Sequence, residues 1–342
     1  MNDRFHGGIL EYPMDFSVNL NPLVDENIVK KLVCKYYKKA IHYPEQRGES
    51  LLQLIEQKYN VSINNIVLGN GSIELFYAIP HVVDVDRVVT LEPTFCEYRY
   101  IAKINNLKYL PYLFHEAFVW DLNKLKRLLK KKDILFICNP NNPTGNIFSR
   151  EDVIKLLESG AYVVVDEAFM DFSDNDQSLI DKVTEFENLI IVKSLTKIYS
   201  IAGLRVGFCV ASKDIIYELK KILPLWNVNG IAINVAKDFL ENVNLIEQTK
   251  SYIDCERKYI TKNLEKTSLF KVFDTKANFF LAYSEKTEEF IEFLHLNNVT
   301  VRRSVGFYGL NDKYFRFAVK KRHENRLLIK LMNEFERNYV SI

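Results

Sequence analysis

Six short runs of almost uninterrupted apolar residues recur between residues 66 and 211, and they constrain the fold more than any other feature. Strands that are covered on both faces have this pattern, because neither face tolerates polar side chains. Helical patterns at 73–83, 121–131 and 150–159 separate several of the runs, which favours a doubly wound, mainly parallel α/β sheet. The runs are IVLG (66–69), RVVTL (87–91), DILFIC (133–138), AYVVVD (161–166), LIIV (189–192) and RVGFCVA (205–211).

The pattern changes after about residue 230, where a smaller α+β domain is predicted. We therefore assign residues 30–240 to a large α/β domain, and residues 1–29 and 241–342 to a small domain that closes over the site. The predicted elements of the small domain are a helical stretch (231–267), strands at KVFDT (271–275), NFFLAYS (278–284), 299–302 and 314–319, and helices at 286–297 and 322–338.

The charge, cysteine and hydropathy patterns argue against nucleic-acid-binding, secreted and membrane proteins. The 46 basic and 44 acidic residues leave a formal charge of +2, so no basic surface for nucleic acid or an anionic membrane is expected. The five cysteines form no CxxC pair, which is typical of reduced thiols in a cytoplasmic protein. No apolar run is long enough to span a membrane, and MNDRFHGGILEYPMDF lacks the apolar core of a signal peptide. We therefore expect a soluble cytoplasmic protein without a metal site.

Two charged residues follow the most apolar runs. Asp166 ends AYVVVD, and Lys197 lies just past LIIV, among the hydroxyl groups of Ser194, Thr196 and Ser200. Ligands of open α/β sheets bind at the carboxyl ends of the strands, where both residues are expected. A buried carboxylate is costly unless a cation or hydrogen bonds compensate it. The two residues therefore indicate either a structural ion pair or two parts of a ligand site.

Two turns at the same predicted edge add polar groups. In VLGNGSIELF (67–76), Gly71 helps to close a tight turn, and Ser72 is a predicted N-cap of a helix whose start favours a phosphate. An ordinary βα loop is the alternative. In CNPNNPTGNIF (138–148), Asn142 precedes a proline and is held extended, so its amide can point above the sheet edge. A simple turn is the alternative there.

One molecule would satisfy all of these groups. It would carry a phosphate for the glycine-rich turn and Arg205, an aldehyde for Lys197 and a basic ring nitrogen for Asp166. Pyridoxal phosphate has these three features, and a lysine amine can form a Schiff base with its aldehyde and later act as a general base. A carboxylate that keeps the ring nitrogen protonated lets the ring withdraw electrons from a substrate carbanion. The sequence thus predicts a pyridoxal phosphate site.

These motifs, in this order, resemble those of the fold-type I pyridoxal phosphate enzymes, and in particular the class I/II aminotransferases, over nearly the whole chain. In SLTKIYSIAGLRVGF (194–208), Lys197 matches the lysine that holds the cofactor in that family. The resemblance implies that Lys197 and Asp166 are catalytic, together with Phe95, which would stack on the pyridine ring. It also implies further cofactor ligands: Gly71, Ser72 and Ile73 through their backbone, Asn142 at the ring 3-oxygen, Phe169 beside it, and Ser194, Thr196 and Arg205 at the phosphate.

Two more matched positions concern the partner subunit and the substrate. Tyr43 in HYPE (42–45) resembles the tyrosine that reaches the cofactor phosphate of the other subunit, which implies an obligate homodimer. Arg316 in YFRFAV (314–319) resembles the arginine that holds the substrate α-carboxylate, a role that suits a forked guanidinium group.

Within this family the sequence resembles two groups of enzymes. HGG (6–8), DFSVNLNPL (15–23) and VRRSVGFYGLNDKYFRFAV (301–319) are similar to L-threonine-O-3-phosphate decarboxylases of cobalamin side-chain synthesis. The core motifs are shared with histidinol-phosphate aminotransferases of histidine biosynthesis, which usually carry tyrosine where this chain has Phe169. We therefore expect a decarboxylase of a small phosphorylated amino acid, with a histidinol-phosphate aminotransferase as the alternative.

The substrate phosphate is assigned to the small domain. Alternation along VTVRR (299–303) turns one of Arg302 and Arg303 outward, and Arg302 is chosen because the resemblance matches it to the family's position. Asn19 and His6 are expected near the same phosphate, although a histidine without a role is the alternative for His6. A cofactor-holding regulator is the rival from another class, but the chain lacks the basic stripe that DNA binding needs. The choice between decarboxylation and transamination stays open, because it depends on rotation about one bond of the substrate.

Overall fold

Strands and helices alternate along the chain in a computed structural model that describes residues 7–8, 12–114, 118–173 and 177–340. In chain order the strands are β1 (Met14–Asp15), β2 (Ile66–Gly69), β3 (Arg87–Glu92), β4 (Lys108–Leu113), β5 (Asp133–Cys138), β6 (Tyr162–Asp166), β7 (Leu189–Ser194), β8 (Gly207–Val210), β9 (Lys271–Val272), β10 (Phe279–Tyr283), β11 (Val299–Thr300), β12 (Arg302–Arg303) and β13 (Tyr314–Ala318). The helices are α1 (Glu26–Tyr36), α2 (Glu49–Tyr59), α3 (Ser72–Ala78), α4 (Glu97–Ile104), α5 (Leu122–Leu128), α6 (Arg150–Leu157), α7 (Leu195–Ile198), α8 (Lys213–Ile222), α9 (Gly230–Glu241), α10 (Asn244–Leu264), α11 (Thr287–Leu296) and α12 (Arg322–Val340). None of the helices in these ranges is long and apolar enough to cross a membrane.

The large sheet has seven strands in the order β2-β8-β7-β6-β5-β3-β4. Strand β8 runs antiparallel to both of its neighbours, and the other adjacent pairs are parallel. Strands β5 and β7 are buried over their whole length, which explains their apolar runs. The predicted mainly parallel α/β sheet is therefore confirmed.

Strand β4 was not predicted, because its sequence KYLPYL does not form a continuous apolar run. It lies at the edge of the sheet and is mostly half-exposed, and Pro111 is tolerated there because an edge strand has fewer ladder hydrogen bonds to satisfy. The edge position therefore weakens the sequence signal on which strand prediction depends.

The later part of the chain forms a four-stranded sheet in the order β12-β13-β10-β9, and β1 pairs with β11 separately. The predicted strand at 299–302 is in fact divided between β11 and β12, which belong to different sheets. The predicted helix at 231–267 is likewise divided into α9 and α10. The domain boundaries themselves stay a prediction.

The N-terminal segment connects the small sheets to the carboxyl ends of the large sheet. Phe16 donates its amide to Thr300 at 2.8 Å and accepts from the amide of Ala318 at 2.9 Å. A few residues later, the amide of Asn21 donates to the carbonyl of Lys197 at 3.1 Å, and its side-chain Nδ2 donates to Ile198 at 2.8 Å. Residues 16–21 thereby hold α7 against the small sheets.

A buried ionic cluster lies beside the same sheet edge. The Nζ of Lys193 is 3.3 Å from a carboxylate oxygen of Glu167 and 3.1 Å from one of Asp171. Glu167 also accepts from the hydroxyl of Ser178 at 2.7 Å and from the amide of Leu179 at 3.1 Å. Removing one partner of such a pair is costly, because the other charge stays buried without compensation.

We expect Lys193→Met to lower the free energy of unfolding by about 3–5 kcal/mol, because the buried carboxylate of Glu167 loses its cation. Lys221→Met is the matched control, since Lys221 pairs with Glu218 on the surface and such pairs contribute about 0–1 kcal/mol. Denaturant unfolding of the cofactor-free proteins at one protein concentration measures both. Equal losses in the two variants would contradict a structural role for the buried cluster.

Candidate active site

A cavity of about 790 Å³ opens at the carboxyl ends of the parallel strands. A second cavity of about 160 Å³ adjoins it, and the two share Gly7, Phe95, Asn142, Phe169 and Lys197. The remaining residues that line the large cavity are Ser72, Ile73, Glu97, Cys138, Asp166, Ala168 and Arg205. The predicted site residues at the ends of different strands thus come together around one space.

Lys197 lies in the short helix α7, directly after β7. Its Nζ donates to the hydroxyl of Thr196 at 2.9 Å and to that of Ser194 at 3.3 Å. Burial lowers the pKa of the Lys197 amine to about 8, against an opposing effect of Asp166. A pKa near 8 leaves roughly a tenth of the amine neutral at pH 7, so this lysine can react as a nucleophile or a base.

Asp166 ends β6 and is buried. One carboxylate oxygen accepts from the amide of Ala168 at 3.0 Å, and the other accepts from the hydroxyl of Tyr98 at 2.7 Å. Burial raises the pKa of the Asp166 carboxyl, while Tyr98 and Ala168 lower it. Asp166 and Lys197 form no ion pair with each other within the described residues, so the alternative of a structural ion pair is wrong.

One end of the large cavity has a glycine-containing turn and several hydrogen-bond donor groups. Helix α3 begins at Ser72, and its N-cap is Gly71, so the prediction of Ser72 as the N-cap is wrong by one position. Gly71 has φ +74°, which only glycine adopts freely, and a Cβ at this position would lie 3.0 Å from Cζ of Arg205. Ser194 and Thr196 do not line the cavity; their hydroxyl groups are 2.7 Å apart, and both accept from the amine of Lys197, which does line it. A guanidinium, two hydroxyls and a glycine-lined turn fit a phosphate group.

Asn142 and Arg316 are joined across the boundary between the two cavities. Arg316 donates to the side-chain oxygen of Asn142 and, at 2.8 Å, to the carbonyl of Ser17. The first bond engages the Oδ1 of Asn142, whose side chain lines both cavities. The same serine accepts at its hydroxyl from the amide of Gly8 at 2.9 Å, so Ser17 connects the N-terminal segment to Arg316.

Two arginines line the small cavity. Arg302 and Arg316 are direct partners in the β12–β13 ladder, and both are buried. Burial lowers the pKa of Arg316 to about 9, with a further decrease from the charge of Arg302, and burial lowers the pKa of Arg302 to about 10. The buried Nε of Arg316 has no hydrogen-bond partner in the described part of the chain. A site of this kind suits anionic ligands.

Of the other predicted residues, some line the small cavity and others lie outside it. Asn19 is buried and lines the small cavity, and its Oδ1 has no partner among the described residues. Arg303 instead points outward and pairs with Glu288 at the surface. Tyr43 is 85% exposed beside Trp226 and lies outside both cavities. His6 lies outside the described residues.

Sequence reasoning missed several residues of the site. Tyr98, Ser17 and Gly7 act through buried hydrogen bonds or close backbone contacts, which have no motif of their own. Tyr98 follows Phe95 by three residues, so both lie on one side of the turn that starts α4. That spacing is the one signal that could have indicated Tyr98.

Comparison with known proteins identifies the family. Residues 14–330 match the aminotransferases of class I and II. The adenosylcobalamin biosynthesis bifunctional protein CobDQ of Leptospira interrogans is 31% identical over 328 residues, which are 92% of this chain but only 38% of that protein. Further relatives at 30–34% identity bear the name histidinol-phosphate aminotransferase, which is the more frequent name among these relatives.

Solved structures bear the same two names. The histidinol-phosphate aminotransferase of Clostridium acetobutylicum has a TM-score of 0.88 at 27% identity and covers 95% of this chain and 99% of its own. The L-threonine-O-3-phosphate decarboxylase of Porphyromonas gingivalis has a TM-score of 0.85 at 25% identity, with 94% and 99% covered. This chain therefore belongs to the class I and II aminotransferase family and has the fold-type I architecture. It is a pyridoxal phosphate-dependent enzyme.

We expect Gly71→Ala to weaken pyridoxal phosphate binding about tenfold or more. An alanine with this positive φ is strained by roughly 1–3 kcal/mol, and its Cβ displaces the guanidinium of Arg205. Gly203→Ala is the control, because a Cβ there meets nothing within 4 Å. Titration of the cofactor-free proteins with pyridoxal phosphate, followed by absorbance, gives the two dissociation constants. An unchanged constant for Gly71→Ala would exclude this turn as the phosphate site.

Proposed function

We propose that this enzyme acts on a short substrate that carries both a carboxylate and a phosphate, and that it decarboxylates L-threonine-O-3-phosphate. The observation that carries this proposal is the direct pairing of Arg302 with Arg316 at the wall of the small cavity. Residues opposite each other in an antiparallel ladder have Cα atoms only about 4.5–5.5 Å apart and face the same side. The guanidinium of Arg302 donates to the carbonyl of Arg303 and, at 2.9 Å, to that of Val305. Two like charges buried on neighbouring strands also favour the binding of an anion at this wall.

We infer a short substrate from the neighbouring ladder positions of the two arginines. Two anionic groups that bind neighbouring guanidinium groups must themselves be close, as a carboxylate and a phosphate on adjacent carbon atoms are. Phosphothreonine carries both groups in one small molecule. We assign the carboxylate to Arg316 and the phosphate to Arg302, with Asn19 and the segment that contains His6 beside the phosphate.

The cofactor ligands are proposed from the donor groups around the large cavity. Ser72, Ile73, Ser194, Thr196 and Arg205 would hold the cofactor phosphate, with Gly71 providing the space. Asp166 would hold the ring nitrogen, and Lys197 the aldehyde. The aromatic ring of Phe95 and the side chains of Asn142 and Phe169 line the same space. These contacts would fix the ring between the two cavities.

When bound, pyridoxal phosphate accepts the electron pair that remains when a bond to the substrate Cα breaks. The protein residues then decide which bond breaks and where the proton goes. In the proposed reaction the Cα–carboxylate bond breaks, CO₂ leaves, and Lys197 in its ammonium form gives a proton to Cα. A Lys197 pKa of about 8 allows both protonation states near neutral pH. Arg302 and Arg316, by holding the two anions, would set the rotamer of the substrate.

The second candidate is a histidinol-phosphate aminotransferase. The names of the relatives support it better than they support the decarboxylase. Two features of this chain favour the decarboxylase instead. Phe169 lines the cavity without the hydroxyl group of the tyrosine expected in the aminotransferases, and the HGG segment places Gly7 at the wall of both cavities.

One assay separates the two reactions. The holoenzyme is incubated with phosphothreonine alone, and in a second tube with histidinol phosphate and 2-oxoglutarate. We expect CO₂ and 1-amino-2-propanol phosphate in equal amounts in the first tube. Glutamate in the second tube and no product in the first would overturn the decarboxylase and leave the aminotransferase.

We expect Arg302→Gln to lower kcat/KM for the phosphorylated substrate by about 10- to 150-fold, because a hydrogen bond to a charged group contributes roughly 1.5–3 kcal/mol. Arg303→Gln is the matched control and should stay within about twofold, since its surface ion pair with Glu288 contributes little. Steady-state kinetics with each variant measure the effect. The reverse order of effects would assign the phosphate to Arg303.

The assembly is also part of the proposal. We infer a homodimer in which Tyr43 reaches the cofactor phosphate of the partner subunit. The 85% exposure of Tyr43, and its position outside the cavities of its own subunit, support this inference. A cytoplasmic location likewise stays a prediction from the sequence.

A further inference from the structure

Tyr98 is a fully buried tyrosine beside the candidate active site. It lies in α4, has 0% exposure, and donates its hydroxyl to Asp166 at 2.7 Å. Its ring stacks on Phe136 at 4.8 Å and meets Phe95 edge-on at 5.5 Å. One buried residue therefore contacts both the carboxylate proposed for the ring nitrogen and the aromatic residue proposed to stack on the ring.

We propose that Tyr98 is a positioning residue that keeps Asp166 ionised and aimed at the ring nitrogen of the cofactor. The inference rests on the role proposed for Asp166 and does not depend on which substrate is used. Tyr98 need not touch the cofactor or the substrate, because it acts through the carboxylate.

The two hydrogen bonds of Asp166 are not equivalent. Ala168 donates from two residues further along the same turn, so its amide moves together with Asp166. Tyr98 donates from α4, and its hydroxyl fixes the carboxylate relative to the turn that carries Phe95. Without Tyr98 the carboxylate would keep only its local donor. Its orientation toward the cofactor ring would then no longer be fixed by a second element.

The charges around Asp166 make the hydroxyl necessary. Burial raises the pKa of the Asp166 carboxyl, and the Tyr98 hydrogen bond is the largest effect that opposes it, ahead of Lys197. Cys138, the direct ladder partner of Asp166, is buried, and burial raises the pKa of its thiol, so it stays neutral. Glu167 raises the pKa of Asp166, but its own charge is compensated by Lys193. Tyr98 and the amide of Ala168 are the neutral donors that stabilise the ionised form, and Tyr98 has the larger effect.

The test is Tyr98→Phe, which keeps the stacked ring and removes only the hydroxyl. Loss of the hydrogen bond raises the pKa of Asp166, so the carboxylate is protonated, and cofactor binding is lost, at a higher pH than in the parent protein. The acidic limb of the affinity–pH profile should move up by about one to two pH units, with binding weakened about tenfold or more on that limb. Titration of the cofactor-free protein with pyridoxal phosphate from acidic to neutral pH measures this without any turnover.

Tyr112→Phe is the matched control, because Tyr112 is also a buried tyrosine, and among the described residues its hydroxyl bonds only to the backbone of Asp121. Its profile should coincide with that of the parent protein. Asp166→Asn is the second background, in which the acidic limb should be absent and Tyr98→Phe should add no further loss of affinity. An unshifted profile for Tyr98→Phe would overturn the proposal. An equal loss of affinity in the Asp166→Asn background would also overturn it, because Tyr98 would then act through Phe95 instead.

Discussion

The candidate site depends on two opposite charges that are buried at one edge of the large sheet and do not form an ion pair with each other. Asp166 and Lys197 lie in the same cavity, yet each is satisfied by neutral donors or acceptors. Desolvation disfavours the charged form of both groups, so the surrounding hydrogen bonds decide how much charge remains. A direct ion pair would have been simpler to stabilise, but it would fill the space that a ring-shaped cofactor needs.

A second pair of opposite charges, close to the first in sequence, has a structural role. Lys193 and Glu167 are adjacent to Ser194 and Asp166 in sequence, but they pair with each other away from the cavity. Because neighbouring residues of a strand face opposite sides, the same strand ends carry a structural ion pair on one side and reactive groups on the other. The structural pair can therefore hold β6 and β7 together without competing for the groups of the site.

Much of this arrangement is predictable from the sequence, because the ends of buried strands are visible as polar residues after apolar runs. The positions of Asp166, Lys197, Asn142 and the Gly71 turn follow from that pattern. The same logic failed for β4, whose edge position weakens its apolar signal, and for the strand at 299–302, which changes sheets after two residues. It also missed Tyr98 and Ser17, because their buried hydrogen bonds join distant segments of the chain. The spacing of Tyr98 from Phe95 is a weak signal, and Ser17 has none.

The two consecutive arginines of β12 have a consequence for how this site can evolve. A slip of one residue turns every side chain of a strand to the opposite face, which normally destroys a binding site. In this strand the residue that would replace Arg302 in the cavity is Arg303, which carries the same guanidinium group. A one-residue insertion in the adjoining loop that shifts β12 in this way would place Arg303 opposite Arg316 and leave a cation there, whereas a deletion would place Val301 there. The cation opposite Arg316 is therefore protected against a one-residue insertion in the loop at 304–313, but not against a deletion.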